Sequence, residues 1–255
     1  MAPGTVTVAR EGPRASVTWD RPPLNVFDIP LLTELAVALR SEPVRSAHVV
    51  VVGGARHRWS AGFSVEDHMA DRVHPMFTAF HDVLIAFSEL PPPIVARVEG
   101  PCLGGGLEML LACDLAIAGT SATFGQPEIR LGVFPPFAAA VMESAVGPQR
   151  AAELLLLGET LGAERAAAIG LVSRVVPEEA LEAEVDRTAT RLCGLRREAL
   201  VLLKSAMRRE GSSVASRLSR AEKIYLEELM RLPSAEEGLR AFLEKREPVW
   251  PAGGP

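Results

Sequence analysis

The sequence predicts an α/β fold with a largely parallel sheet and a helical C-terminal region. Short apolar strands alternate with amphipathic helices as far as Val175, an order that places parallel strands in one layer with helices against it. The valine run within residues 48–53 is continuous rather than alternating, as expected of a strand that is covered on both faces. From Pro177 onward only helical periodicity remains, so this part is predicted to be helical throughout.

The predicted elements of the first half begin with a hairpin whose turn is formed by Glu11, Gly12 and Pro13. A proline-rich link at residues 21–25 cannot continue the second strand, and three prolines after residue 90 end the second helix. The predicted strands are residues 5–9, 15–19, 48–53 and 94–99, and the predicted helices are residues 29–40 and 75–90.

The second half is predicted to form one core unit with the first and then to become helical. Its predicted strands are residues 115–118, 122–124 and 171–175, and its predicted helices are residues 107–113, 137–146, 149–156, 163–168, 178–192, 196–210, 214–232 and 235–245. We divide the chain into a core unit, residues 1–190, and a C-terminal helical region, residues 191–255. The apolar stripes of the C-terminal region are typical of helices that cover a core or pack on a partner.

The composition is that of a globular chain with a substantial core. Of the 255 residues 48% are hydrophobic, and the net charge of −5 leaves no general basic field, so broad binding to nucleic acid or anionic membranes is not expected. The three cysteines Cys102, Cys113 and Cys193 are widely spaced, which favours free thiols and predicts no metal site. The chain shows neither a membrane-spanning run nor an apolar signal-peptide core near its start, so a cytoplasmic location is the simplest expectation.

The stretch from Pro101 to Pro136 carries the strongest chemical signal. Gly104, Gly105 and Gly106 lead into an apolar helix, so backbone N–H groups at the helix start could face a developing negative charge. The carboxylates Glu108 and Glu128 lie at the edges of hydrophobic segments. Taken alone, Glu108 is more readily interpreted as an acid in the first turn of a helix, and Glu128 as a solvated turn residue.

Residues 56–68 form a second candidate binding loop. The small residues from Ser60 to Gly62 follow a buried strand, where α/β folds place ligand-binding backbone, and the N–H of Phe63 could point outward as a second donor. A plain strand-to-helix loop explains the same residues. His68 is expected to cap the following helix rather than to approach a ligand, and Arg56 and Arg58 are candidate phosphate partners.

Five motifs in this order resemble the enoyl-CoA hydratase/isomerase (crotonase) superfamily over essentially the whole chain. They are RPPLNVFD at residues 21–28, SAGFSVEDH at 60–68, GPCLGGGLEMLLACDLAIA at 100–118, FGQPEIRLG at 124–132 and AIGLVSRVVP at 168–177. The resemblance implies a crotonase-like spiral of ββα units with a C-terminal helical region for trimerisation. It also implies an acyl-CoA substrate, with coenzyme A as part of that substrate and no permanently bound cofactor, and a homotrimer or a dimer of trimers.

The resemblance also assigns roles to residues of this chain. The backbone N–H groups of Phe63 and Gly105 correspond to the oxyanion hole, Glu128 to the acid that protonates C2 and Glu108 to the group that activates water. The positions implied for CoA and the acyl group are Pro23, Leu24, Ala61, Gly104, Phe134, Phe137, Phe242 and Lys245, the last two arriving from a neighbouring subunit. Glu66 replaces a lysine that is common after the oxyanion motif.

The function implied is addition of water across the C2=C3 bond of an acyl-CoA, or its removal. Two alternatives remain open: an isomerase or thioester hydrolase on the same fold, and a noncatalytic binding protein with the crotonase fold. The rigid and aromatic residues Pro136 and Phe137 stand where hydratases usually have small ones, which looks most like the branch that hydrates cyclic dienoyl-CoA thioesters. Phe63, Phe134 and Phe137 fit an ordinary core equally well.

Overall fold

The structure is a computed structural model that describes residues 5–207 and 214–250. It contains nine named strands: β1 (Val6–Glu11), β2 (Arg14–Trp19), β3 (Val49–Gly54), β4 (Ile94–Val98), β5 (Pro101–Leu103), β6 (Leu115–Gly119), β7 (Thr123–Gly125), β8 (Thr160–Gly162) and β9 (Arg174–Val176). Six of these form one sheet in the order β1-β2-β3-β4-β6-β9, and β5-β7-β8 form a small second sheet. In the large sheet only the β1–β2 hairpin is antiparallel, so the predicted largely parallel sheet is confirmed.

Helices cover both faces of the large sheet. They are α1 (Ile29–Arg40), α2 (Glu42–Arg45), α3 (Val73–Glu89), α4 (Gly105–Leu111), α5 (Pro136–Val146), α6 (Pro148–Leu157), α7 (Ala163–Ala168), α8 (Glu178–Cys193), α9 (Arg197–Met207), α10 (Val214–Lys223) and α11 (Pro233–Leu243). The start of α1 follows from its sequence, because Asp28 accepts a hydrogen bond from the N–H of Leu31 and a proline fills the first turn.

The valines of β3 show how the core is divided between the two faces. Val50 and Val52 lie in the main hydrophobic cluster with residues of α1 and α3, whereas Val49 and Val51 pack with Leu181 of α8. Successive side chains of a strand point to opposite faces, so a continuous apolar run is what a doubly covered strand requires. The α/β class predicted from the sequence is thus confirmed.

Several element boundaries differ from the prediction. The strand predicted at residues 171–175 is shorter and later, because Gly170 has a φ of 82° and the N–H of Leu171 bonds back to the Ala166 carbonyl, which keeps residues 171–173 in the turn after α7. The three-residue strands β5 and β8 were not predicted, since they are too short to show a periodic pattern.

The helix predicted at residues 214–232 is interrupted. The α-helix ends at Lys223, a π-helical turn follows at Ile224–Glu228 and a 3₁₀ turn at Leu229–Arg231. Pro233 keeps Leu232 extended, which ends the run before α11. Residues 208–210 of the helix predicted at 196–210 lie outside the described residues. The division into residues 1–190 and 191–255 stays a prediction.

Candidate active site

A cavity of about 510 Å³ opens where the loop after β3, the start of α4 and the chain around Glu128 meet. Its lining brings together six residues that the sequence assigned to the site: Leu24, Ala61, Phe63, Gly104, Glu128 and Phe242. Phe242, which the resemblance places at the site of a neighbouring subunit, lies on α11 and lines the cavity of its own chain. The lining is predominantly apolar, as in most small-molecule sites.

Backbone pairing holds the two predicted donor segments side by side. The N–H of Ser60 donates to Pro101 O at 2.9 Å, and the N–H of Leu103 donates to Ser60 O at 3.1 Å. The indole of Trp59 donates to Gly106 O at 2.7 Å and ties the same segment to α4. The loop that carries Phe63 is therefore fixed against the strand that leads into the glycines.

The two glycines that precede the predicted donor amides both have positive φ angles. Gly62 has a φ of 109° and Gly104 a φ of 51°, a backbone region that residues with a Cβ rarely adopt. A Cβ on Gly104 would lie 2.6 Å from Oε1 of Glu128, so the carboxylate rests directly on this glycine. Glycine at residue 104 thus allows both the positive φ of the turn and the close approach of the Glu128 carboxylate.

The N–H groups of Phe63 and Gly105 make no hydrogen bond to any group in the part of the chain that the structure describes. On either side of Phe63, Gly62 O and the N–H of Ser64 bond to Phe27, so the intervening N–H is directed away from that pairing. A Cβ on Gly105 would lie 2.3–2.5 Å from the Phe63 ring, which shows how closely the two donor residues pack.

Glu108 does not cap its own helix. It is 1% exposed, and its Oε1 accepts a hydrogen bond of 2.9 Å from the N–H of Ala138 in the first turn of α5. Pro136 at the start of α5 has no N–H, so the first donors of that helix come from the next two residues. The carboxylate is thereby fixed at the N-terminus of a different helix.

Glu128 lies in a 3₁₀ turn, Pro127–Leu131, and its carboxylate faces Gly104. The buried amide of Gln126 lies beside this carboxylate. With its nitrogen assigned to the side that faces the acceptors, it donates to the two carboxylate oxygens at 3.2 and 3.1 Å and to Gly104 O at 3.3 Å. The Glu128 carboxyl is therefore fixed at the cavity wall by its contacts with Gln126 and Gly104, and Glu128 is not a freely solvated turn residue.

The electrostatics of both acids favour a bound proton. Burial raises the pKa of Glu108 to about 7, although the N–H groups of Ala138 and Phe137 favour its ionised form. Burial, followed by the nearby charge of Glu108, raises the pKa of Glu128 to about 8. Near neutral pH one carboxyl can hold a proton while the other is ionised, which is the state that acid and base catalysis at one site requires.

The other predicted site residues are not part of the cavity lining. The carbonyl of Pro23 accepts a hydrogen bond from Arg58, and Phe134 packs on Tyr225 with 5.4 Å between ring centroids. Phe137 is 3% exposed and faces Phe80 at 6.3 Å. Gly105 and Glu108 lie beneath the lining, and Lys245 is exposed beyond the end of α11.

One expectation about a titratable side chain is wrong. His68 does not cap the following helix: it lines the cavity, its Nδ1 lies 2.9 Å from Ser64 O, and desolvation lowers its pKa, so the ring is neutral with Nδ1 as the donor. His68 is the last residue of the 3₁₀ turn Glu66–His68, five residues before α3 begins at Val73. Arg56 forms an ion pair with Asp20 and Arg58 donates to Pro23 O, both outside the cavity lining, and their contact with a phosphate stays a prediction.

Sequence reasoning missed Gln126 and Arg130. Gln126 was treated only as part of a turn, although a buried amide next to a proline and an acid is a signal of a hydrogen-bonded carboxylate. Arg130 lines the cavity on the same 3₁₀ turn as Glu128 and is exposed there. Its position could not be read from the sequence, because it depends on which way that turn faces.

Comparison with known proteins assigns the chain to a family. A family profile described as "Enoyl-CoA hydratase/isomerase" matches residues 12–253. The chain is 34% identical over 253 residues to a cyclohexa-1,5-dienecarbonyl-CoA hydratase from Thauera aromatica, covering 98% of this chain and 97% of that protein. It is also 34% identical over 251 residues to a probable enoyl-CoA hydratase from Mycobacterium bovis, covering 96% of each.

Solved structures agree with these sequence relatives. An enoyl-CoA hydratase from Mycobacterium avium subsp. paratuberculosis superposes with a TM-score of 0.83 at 31% identity, over 97% of this chain and 98% of that one. An enoyl-CoA hydratase/isomerase from Pseudoalteromonas atlantica gives a TM-score of 0.84 at 30% identity, over 97% and 100%. The chain therefore belongs to the enoyl-CoA hydratase/isomerase family, the crotonase superfamily that its five motifs indicate.

Proposed function

We propose that this enoyl-CoA hydratase-type enzyme adds water across the C2=C3 bond of an acyl-CoA thioester, or removes it in the reverse direction, through an enolate held by two backbone amides. The observation that carries the proposal is the contact of the Glu128 carboxylate with Gly104, one residue before the free N–H of Gly105. Glu108 follows within the first turn of the same helix. The two acids and the proposed oxyanion donor thus lie together at the segment of residues 104–108.

The N–H groups of Phe63 and Gly105 are proposed as the oxyanion hole. When hydroxide adds at C3, the electrons of the double bond move through C2 to the thioester oxygen, which becomes an enolate oxygen. Two preorganised donors in an apolar cavity stabilise that charge more than they stabilise the neutral carbonyl, and one such donor is typically worth about 3 kcal/mol.

The two acids divide the proton transfers. Ionised Glu108 takes a proton from the water as its oxygen bonds to C3, and protonated Glu128 delivers a proton to C2 of the enolate. After the addition Glu108 holds a proton and Glu128 has lost one, so the pair returns to its starting state by proton exchange. The raised pKa values of both groups make either exchange accessible near neutral pH.

The remaining site residues are proposed to hold the CoA part. Ala61 and Leu24 line the cavity on the side of the loop after β3, and Phe242 lines it from α11. Arg130, exposed at the same cavity, supplies a cation for a phosphate. A homotrimer or a dimer of trimers, as the resemblance implies, would place further C-terminal residues such as Lys245 at a neighbouring site.

For the acyl group we propose a cyclic dienoyl unit. The support is the similarity to the Thauera aromatica hydratase, whose name specifies a cyclohexadiene carbonyl thioester, together with the apolar lining of the cavity and the Phe63 ring within it. A flat ring presents its C2=C3 bond without the many rotamers of a linear chain, and a rigid apolar wall suits that shape.

The test is incubation of the purified chain with linear, branched and cyclic unsaturated acyl-CoAs, followed by mass spectrometry. Hydration adds the mass of one water, isomerisation leaves the mass unchanged, and hydrolysis releases free CoA. We expect hydration, with the cyclic dienoyl-CoA turned over fastest. Unchanged mass with a moved double bond, or free CoA, would replace the proposal by the isomerase or hydrolase alternative. Binding without any product would indicate a noncatalytic protein.

No helix within residues 5–207 and 214–250 is both long and apolar enough to cross a membrane. A cytoplasmic location stays a prediction of the sequence.

A further inference from the structure

Tyr225 carries a buried polar group to which the proposed reaction assigns no role. It is the only tyrosine of the sequence, and it is 1% exposed in the π-helical turn between α10 and α11. Its hydroxyl has no hydrogen-bond partner among the residues that the structure describes. A buried hydroxyl without a partner destabilises a fold, whereas phenylalanine would fill the same space without that loss.

The surroundings of the Tyr225 ring are apolar and continue into the cavity wall. The ring packs edge-on against Phe77, with centroids 4.9 Å apart, and against Phe134 at 5.4 Å. The same cluster contains Val133 and Leu239, and both of these line the cavity. The Tyr225 ring thus packs in one cluster with side chains that form the cavity wall.

The segment that carries Phe134, the ring neighbour of Tyr225, is bonded to the backbone of one proposed acid and to the carboxylate of the other. The N–H of Val133 donates to the backbone carbonyl of Glu128 at 3.2 Å, and the N–H of Ala138 donates to Glu108 Oε1 at 2.9 Å. Consistent with this placement, burial and then the charges of Glu128 and Glu108 raise the pKa of Tyr225. The hydroxyl therefore stays protonated, with one O–H to donate and lone pairs to accept.

We propose that the Tyr225 hydroxyl is a further substrate-contacting group: its O–H donates to the oxygen that is added at C3, in the water before the addition and in the 3-hydroxyacyl-CoA after it. This inference rests on the proposed hydratase function. A water that gives a proton to Glu108 needs a second contact that turns its lone pair toward C3, and a neutral donor supplies it without competing for the proton. Tyr225 keeps its own proton throughout, so the proton balance between the two acids is unchanged.

The test is Tyr225→Phe, which keeps the ring and its two aromatic contacts and removes only the hydroxyl. We expect the unfolding free energy to stay equal or rise, since an unpaired buried polar group has been removed. Binding of a 3-hydroxyacyl-CoA should weaken by about 3- to 10-fold, as for the loss of one hydrogen bond, while binding of the saturated acyl-CoA that lacks the hydroxyl should not change. Turnover should fall by at least about 10-fold.

The matched control is Phe77→Leu, which loosens the packing around the ring and leaves the hydroxyl in place. Phe77→Leu should lower the unfolding free energy and should leave the ratio of the affinities for the 3-hydroxyacyl-CoA and the saturated acyl-CoA unchanged. The single tyrosine also allows a direct readout, because a ¹³Cζ-tyrosine label gives one NMR signal. That signal should shift with the 3-hydroxyacyl-CoA and not with the saturated analogue.

Three results would overturn the inference: equal weakening of both ligands by Tyr225→Phe, no weakening of either, or loss of stability with unchanged turnover. The last result would mean that the hydroxyl has a purely structural role. Failure of the unaltered protein to bind any acyl-CoA would instead refute the hydratase proposal itself. The two failures are therefore distinguishable.

Discussion

The two acids of the candidate site are the same residue type and differ in the groups that contact their carboxyls. Glu108 and Glu128 are both glutamates beside glycine and proline, yet one is fixed by the N-terminus of α5 and the other by Gln126 and the bare Cα of Gly104. Each acid therefore keeps a defined position relative to the Gly105 amide. Because different groups hold each carboxyl, the two acids can have separate roles.

The roles can be separated by isotope exchange. Glu108→Gln and Glu128→Gln should each lower hydration by at least about 100-fold, the low end of acid and base contributions, with acyl-CoA binding largely kept. Only Glu128 is proposed to exchange a proton with C2. In D₂O, Glu108→Gln should still exchange the C2 hydrogen of a saturated acyl-CoA, and Glu128→Gln should not. The reverse pattern, detected by mass spectrometry, would exchange the two assignments.

The raised pKa of Glu128 makes stability depend on pH. A folded-state pKa of about 8 means that the native protein keeps this proton while the unfolded chain loses it above its ordinary pKa. Below that ordinary pKa the carboxyl is protonated in both states, so its titration does not change the unfolding free energy. As the pH rises toward about 8, the unfolding free energy falls progressively, because only the native state keeps the proton.

Glu128→Gln removes this titration. Its unfolding free energy should match the unaltered protein near pH 4.5 and exceed it at pH 8.5, by roughly 1.4 kcal/mol for each unit of pKa difference. Urea unfolding at both pH values measures the difference. A constant offset between the two proteins at all pH values would show that Glu128 has an ordinary pKa in the folded state.

The sequence could identify both acids but not their environment. Spacing and motif order single out residues 104–108 and 128, because local sequence builds the glycine turn and the short helix. The donor to Glu108 lies 30 residues further along the chain, and such long-range contacts leave no local pattern. The same reason explains why the expectation that His68 caps the following helix is wrong.

At the scale of elements, the long strands and helices were predictable and the short ones were not. The valine run of β3 predicts a strand that is covered on both faces, and the three prolines after α3 predict the end of that helix, so each can be read from the local sequence alone. The strands β5 and β8 have three residues each and exist because a neighbouring segment offers backbone partners.

The buried cation Lys204 contributes to the docking of α9 on the core, beside Arg197, which donates to the carbonyls of Ala47 and Arg45. Lys204 is 7% exposed, pairs with Asp114 at 2.6 Å and donates to Pro92 O at 2.8 Å. Lys204→Met should lower the unfolding free energy by about 2 kcal/mol, because it leaves a partly buried carboxylate without its partner. The matched control is Arg150→Ala in the exposed Arg150–Glu153 pair, which should change it by less than about 0.5 kcal/mol. Equal effects in urea unfolding would contradict this account of α9.

The whole molecule has apolar side chains on its outer surface that a single copy leaves uncovered. Leu203 and Met207, one turn apart on α9, are 58% and 72% exposed, and Leu202 beside them is 69% exposed. Grouped apolar side chains of this kind mark an interface more often than a monomer surface. The sequence could predict the apolar stripe, but only the placement of α9 shows that it faces outward.

We expect this face of α9 to join copies of the chain into a closed assembly. Sedimentation at micromolar concentration should then give the mass of three or six copies of the 27.3 kDa chain. Leu203→Glu combined with Met207→Glu should shift the mass to that of one copy, since two carboxylates would be buried without partners. Val37→Glu, at an isolated exposed valine on α1, is the control and should leave the assembly intact. A monomeric unaltered protein would refute the oligomer, whereas an assembly that survives the double substitution would place its interface on another face.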